Sequence, residues 1–128
     1  MVKITFMGAG STGFAKKVVG DIMLSPVFNE FEIALYDIDA TRLKESKLVV
    51  DVLNKNLNGG KAVVTVHAGV ENRKAALKDA DFIINAIQIG GYDPCTITDF
   101  EVPKKYGLLQ TIGDTTGIGG IMRALRTI

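Results

Sequence analysis

Apolar and polar positions alternate from Val2 to Met7, with Val2, Ile4 and Phe6 on one side and Lys3, Thr5 and Met7 on the other, and the pattern stops at Gly8. A period of two predicts a strand. From Ser11 to about Leu24 the period becomes helical: Phe14, Val18 and Ile22 share a face, Lys16, Lys17 and Asp21 lie away from it, and Ser25-Pro26 ends it. Phe31–Tyr36 predicts a second strand, closed by Asp37. A second helix follows with Asp39 as its N-cap, and Leu43, Ser46, Val50, Leu53 and Leu57 recur along it until Asn58-Gly59-Gly60. Ala62–His67 predicts a third strand and Asn72–Asp79 a short helix. Phe82–Ile89 is the most continuous apolar run, as suits a central parallel strand buried on both faces. After Gly90-Gly91, Thr96–Tyr106 predicts a fourth helix with Gly107 just past its end. Thr111–Gly120 reads as a glycine-rich loop, and a last helix is expected from Ile121.

Strands alternating with helices require a parallel sheet with right-handed crossovers. The expected fold is α/β, a Rossmann-type doubly wound sheet in three αβα layers, here its first half with strand order 3-2-1-4. The final residues, IMRALRTI, carry neither cap nor breaker, so the natural chain is expected to continue. Residues 1–128 are read as one dinucleotide-binding domain.

Composition narrows the partners. With 128 residues there is room for one core, and 47% apolar against 23% charged residues excludes a disordered chain. A net charge of +1 gives no footprint for nucleic acid or an anionic membrane. The N-terminal apolar stretch is too short and too broken by glycine for a signal peptide or membrane span. The one cysteine, Cys95, cannot pair internally, which points to the reducing cytoplasm, and it is read as a packing thiol. His67 stands alone at a strand end and is read as structural.

Fourteen glycines is a high count, and their placement matters most. Gly8-Ala9-Gly10-Ser11-Thr12-Gly13 matches G-x-G-x-x-G between a predicted strand and a predicted helix. In that context Gly8 permits the tight turn, Gly10 lets a pyrophosphate approach the backbone, and Gly13 lets the helix pack close to the sheet. The free amides and helix dipole would hold the phosphates. The expected cofactor-binding segment is therefore Gly8, Gly10, Ser11, Thr12 and Gly13. Asp37, at the end of the second strand, can accept both adenosine ribose hydroxyls and repel a 2′-phosphate, which favours NAD over NADP. Arg42 could reach such a phosphate across the turn. Asp39 is open between N-cap and cofactor contact. Asn85 and Gln88 lie beyond the fourth strand, where ligands of open parallel sheets sit; Asn85 is equally open between cofactor contact and satisfying nearby backbone.

Three stretches together resemble the NAD-dependent glycosidases of glycoside hydrolase family 4: KITFMGAGST, ALYDIDATRL, and QIGGYDPCTITDFEVPKKYGL followed by DTTGIGGIMRALRTI. The first two are shared with lactate and malate dehydrogenases. The last pair is more diagnostic and most resembles the bacterial α-galactosidase branch. The resemblance implies hydrolysis of α-galactosides that depends on NAD and a divalent metal, typically manganese. NAD⁺ would transiently oxidise the sugar at C3, a tyrosine would remove the C2 proton, and elimination then addition of water would complete the cycle, outside the usual two-carboxylate scheme. It also implies that Gly8, Gly10 and Ser11 hold the pyrophosphate, that Asp37 holds the ribose, and that Asp114 supports proton transfer beside the catalytic tyrosine. The plain reading of Asp114 is a turn residue.

The family's metal-binding Cys and His, its catalytic tyrosine and its Asn-Pro motif are not in this sequence, so no metal ligand is expected within 1–128. GIGG stands where a proline before the last glycines is expected. Arg123 and Arg126 read as solvent-facing arginines, with sugar or interface contact as the sharper possibility. A sugar substrate and a homo-oligomeric full-length protein are expected. Two other functions fit less well. A lactate- or malate-type dehydrogenase needs an arginine loop after the fourth strand, where this chain has Gly90-Gly91-Tyr92-Asp93. A dinucleotide-binding module without catalysis is the other.

Overall fold

A computed structural model describes residues 1–109 and 117–128 of the chain. Among them the elements run β1 (Val2–Met7), α1 (Thr12–Leu24), β2 (Phe31–Asp37), α2 (Ala40–Leu57), β3 (Val63–Ala68), α3 (Arg73–Leu77), β4 (Phe82–Asn85), α4 (Ile97–Lys104) and α5 (Ile118–Thr127). The four strands form one parallel sheet in the order β3-β2-β1-β4, as expected for the first half of a doubly wound fold. The register sets Ile4 beside Ile33 and Phe82, and Phe6 beside Leu35 and Ile84. Two compact units result, Met1–Ile87 and Gln88–Ile128.

In the first unit, Ile4, Phe6, Ile33 and Leu35 pack against Ala15, Val19 and Met23 of α1 and Leu43 and Val50 of α2. The opposite face is covered by α3, where Met7, Tyr36 and Ala76 are buried together and Thr5 Oγ1 donates to the Ala76 carbonyl at 2.8 Å. Helices therefore lie on both sides of the sheet. The buried stripe of α1 is turned one residue from the expected Phe14-Val18-Ile22 face. Small Ala15 and Val19 meet the sheet directly, while Phe14 stays 47% exposed and sets its ring edge-on to Phe6 with centroids 5.8 Å apart. In α2 the stripe continues with Asn54 rather than Leu57. The Asn54 side chain donates to the Ala62 carbonyl at 2.7 Å and accepts its N–H at 3.1 Å, fastening the end of the helix to the start of β3.

The fourth strand departs furthest from expectation. It ends at Asn85 instead of Ile89, and it is an edge strand of this sheet, with Phe82 and Ile83 both 57% exposed. It pairs with β1 alone, so its continuous apolar run is not sandwiched. Asn85 Oδ1 accepts the Ile87 N–H at 3.3 Å, the local turn that stops the strand.

In the second unit the segment Gly91–Thr96, whose backbone is extended at Asp93, leads into α4, and Gly107 sits past its end at φ +77 as expected. The last helix begins at Ile118 rather than Ile121, so Gly119 and Gly120 belong to it and not to a loop. Arg123 and Arg126 do not simply face solvent. Both reach Asp99 of α4, which is only 7% exposed: Arg126 binds it in a two-pronged fork at 3.2 and 2.6 Å, and Arg123 Nε lies 3.7 Å away. The hydrogen bond to Asp99 raises the Arg126 pKa.

Candidate functional site

The glycine turn is seated at the carboxyl ends of the strands, where open parallel sheets place ligands. The N–H groups of Gly8 and Ala9 both donate to the Tyr36 carbonyl at 2.9 Å. Gly8 has φ +86, and a Cβ there would collide with the Ala86 carbonyl and lie 2.9 Å from the Ile87 nitrogen. Glycine is thus required at residue 8 twice over, by conformation and by the close passage of the chain leaving β4.

Gly10 is required for a different reason. Its N–H donates to Asp37 Oδ2 at 2.7 Å, and a Cβ on it would stand 2.6 Å from that same oxygen and 3.2 Å from Arg42 Cβ. The other oxygen of Asp37 accepts the Asp39 N–H at 2.9 Å. Two backbone donors therefore fix the carboxylate at the tip of β2, beside the turn. Gly13 does not play its expected packing role: a Cβ on it would meet nothing within 4 Å. Gly20, about two helix turns further on, is the glycine of α1 that lies against Leu53 and Leu57 of α2.

The two long helices start differently. Asp39 Oδ1 caps α2, accepting from Thr41 N at 2.9 Å and Arg42 N at 3.1 Å. Ser11 occupies the cap position of α1 but its side chain makes no cap hydrogen bond. The positive end of α1 is therefore left without a side-chain acceptor next to the glycine turn, an arrangement suited to an anion such as a pyrophosphate. Thr12 turns its hydroxyl inward, 2.9 Å from Ser46 Oγ, and Ser46 in turn donates to the Ala9 carbonyl at 2.6 Å. That hydroxyl pair ties the turn to α2.

Gly8, Gly10, Ser11, Thr12, Gly13, Asp37 and Asp39 thus converge on one rim. Asn85 ends β4, with its side-chain oxygen on the Ile87 N–H. Gln88 opens the second unit, where it donates to Thr96 Oγ1 at 2.6 Å. Asp114 lies outside the described residues. Cys95 is half-buried in the turn before α4. Among the described residues no three His, Cys, Asp or Glu side chains are grouped as a metal would need, and no helix is long and apolar enough to cross a membrane. Among the described residues His67 Nε2 is buried without a hydrogen-bond partner, and burial, then the charge of Lys3, lower the His67 pKa against an opposing pull from Glu32.

Sequence reasoning missed Ser46 and Asp99 as organising residues. The signal for Ser46 was a hydroxyl at a core position of an amphipathic helix, which needs a buried acceptor. Asp99 carried no such signal, because its partners come from a helix 24 or more residues away along the chain.

A glycine turn on an uncapped helix, with a fixed acid at the tip of the neighbouring strand, defines a doubly wound protein of the dinucleotide-binding class. Residues 3–128 match the family described as Family 4 glycosyl hydrolase, and the chain belongs to that family. It is 56% identical over 128 residues to an alpha-galactosidase of Bacillus subtilis, covering all of this chain and 29% of that protein. It is 35% identical to an alpha-galacturonidase of Thermoanaerobacter italicus over 99% of this chain and 26% of the other. Among solved structures it resembles the 6-phospho-beta glucosidase of Thermotoga maritima, determined with manganese, NAD+ and glucose-6-phosphate, at a TM-score of 0.79 and 29% identity, covering 99% of this chain and 28% of that one. The chain spans between a quarter and a third of the relatives it matches.

Proposed function

We propose that this chain is the NAD-binding part of a glycosidase that hydrolyses α-galactosides, acting in the cytoplasm. The observation that carries the reading is the Gly10–Asp37 cradle beside the uncapped start of α1. It fits a dinucleotide at both ends: the first-turn amides and dipole of α1 for the pyrophosphate, the N–H groups of Gly8, Ala9, Gly10 and Ser11 being bonded within the fold, and a carboxylate held in place for the ribose diol. Gly8, Gly10, Ser11 and Gly13 would form the phosphate rim, Thr12 would brace it through Ser46, and Asp37 would accept from the ribose. Asp39 orients α2, and Asn85 lies at the mouth of the site. Gln88 and Asp114 remain assigned to cofactor contact and to support of a tyrosine base. NAD bound here would supply transient oxidation of the sugar and recover the hydride at the end of the cycle, so that the net reaction is hydrolysis. The residues described do not fit a divalent metal, and its ligands are assigned to the part of the protein corresponding to the remainder of its longer relatives.

Specificity for a neutral galactoside rests on the likeness to the Bacillus subtilis protein and on the segment Gly90-Gly91-Tyr92-Asp93, whose acidic residue disfavours an anionic sugar. The test is hydrolysis of nitrophenyl α-galactoside, its 6-phosphate and the corresponding galacturonide by the full-length protein, with and without NAD⁺ and Mn²⁺. Turnover of the neutral galactoside that requires both additions is expected. Turnover without NAD⁺, or confined to either anionic sugar, would refute the proposal.

A further inference from the structure

We propose that the outward face of α1 is a self-complementary interface, and that its partner is a second copy of this chain packed antiparallel against it. The buried residues of α1 are Ala15, Val19, Gly20 and Met23. The stripe turned the other way is Phe14, Lys17, Asp21 and Leu24, spaced three, four and three residues apart. That spacing is the seam of two packed helices, and it runs along about 15 Å of helix. All four residues are exposed, Phe14 by 47% and Leu24 by 63%. Beside the stripe lies an open groove, where Lys17, Asp21 and Leu24 meet Leu53 and Leu57 of α2.

The order of residues along the stripe selects the occupant. From either end it runs apolar, charged, charged, apolar, with the cation and the anion at its centre. A two-fold axis between α1 and its copy, level with Val19, sets Lys17 of each against Asp21 of the other, and Phe14 of each against Leu24 of the other. A parallel pairing would set lysine against lysine and aspartate against aspartate, which the charges oppose. An unrelated partner would call for no such symmetry. Neither charge is spent within the fold: among the described residues Lys17 and Asp21 form no ion pair, whereas Lys47 and Asp51 pair at the same spacing on α2.

The experiment cross-links the full-length protein, with unlabelled copies mixed with copies grown in heavy nitrogen. The reagent is a carbodiimide, which joins an amine to a carboxylate in direct contact. The copies are mixed dilute, so that subunits exchange, and are then concentrated. The expected product is a covalent dimer in which Lys17 of one label is joined to Asp21 of the other. Lys17→Asp and Asp21→Lys each place like charges in both symmetry-related pairs. Each should weaken self-association about tenfold, and the double exchange Lys17→Asp/Asp21→Lys should restore it. Sedimentation measures the association, and circular dichroism checks that each variant keeps its helices; should one fail to fold, the cross-link on the unmodified protein decides. Cross-links confined to one label, within α1 or to another segment of the same protein lying over the stripe, overturn the inference. So do single reversals that leave the association constant unchanged, or a double exchange that fails to recover it.

Discussion

Gly10 and Asp37 hold each other in place across 27 residues of sequence: the glycine N–H donates to the aspartate at 2.7 Å, and the aspartate fills the volume a side chain on residue 10 would take. A side chain on residue 10 would displace the carboxylate.

Two glycines of the same motif are therefore expected to respond with opposite sign. Gly10→Ala forces its Cβ onto Asp37 Oδ2, 2.6 Å away, and should cost about 1–3 kcal/mol of stability, as overpacking does, together with most of the NAD⁺ affinity. Gly13→Ala places its methyl in open space on a helix and should stabilise by about 0.4–1 kcal/mol. Urea midpoints of the two variants, with NAD⁺ titrations of the first, check this. A destabilised Gly13→Ala would mean that the third glycine has a packing partner after all.

Ser46→Ala removes the donor to the Ala9 carbonyl and the neighbour of the Thr12 hydroxyl at a site 1% exposed. Leaving a buried acceptor unpaired costs about 1–3 kcal/mol. The loss should appear in the urea midpoint, and NAD⁺ affinity should fall as the turn loosens. Ser46→Thr, which keeps the hydroxyl, should recover most of both.

Asp99 is the shared carboxylate of Arg123 and Arg126. Asp99→Asn keeps the shape but removes the charge that both arginines meet. It should lower the melting temperature more than Arg123→Gln does, because it weakens both arginine contacts at once, whereas Arg123 is the more distant of the two partners. A melting temperature unchanged by Asp99→Asn would show that the pair is only a surface contact.

His67 gives a pH dependence of defined sign. Its folded-state pKa lies below the ordinary value of 6.5, chiefly from burial and then from Lys3. The unfolded chain therefore takes up a proton first as pH falls. The contribution is fully present above about pH 6.5 and is lost progressively as acidification proceeds towards the lower folded value. Urea unfolding at pH 7.5, 6.5, 5.5 and 4.5 should show the decline, and His67→Gln should flatten it in the upper part of that range. An equal slope in the variant would assign the decline to other groups.

Much of this was legible in the sequence because it was local. The alternation in β1, the Asp39 cap and the glycine turn each depend on a few adjacent residues, and strand order followed from alternating elements and crossover handedness. What depended on distant neighbours was not legible. Phe14 is the largest apolar residue of α1 yet not the deepest, because the smaller Ala15 and Val19 face the sheet. The run from Phe82 has the composition of a sandwiched strand, but burial on both faces needs neighbours that composition cannot specify. Arg123 and Arg126 resembled solvated arginines because their carboxylate sits on another helix. At the candidate site, the turn and Asp37 could be named in advance. Their mutual bond, the brace through Ser46 and the irrelevance of packing at Gly13 required coordinates.

The position of Gly8 also sets an order of events during synthesis. Its turn hangs from the Tyr36 carbonyl and is pressed against Ala86, 78 residues later in the chain. β1 is likewise pinned by Asp81, which accepts the Lys3 N–H at 2.8 Å. Such contacts between distant residues form late, because the intervening loop must close first. A growing polypeptide that has just emitted its glycine motif from the ribosome has the sequence for the cofactor but not the cradle. The Gly10–Asp37 pair needs β2, and the seat of Gly8 against Ala86 is complete only once β4 has docked beside β1. Any nicotinamide dinucleotide is thus received by a folded sheet rather than gathered by the nascent turn.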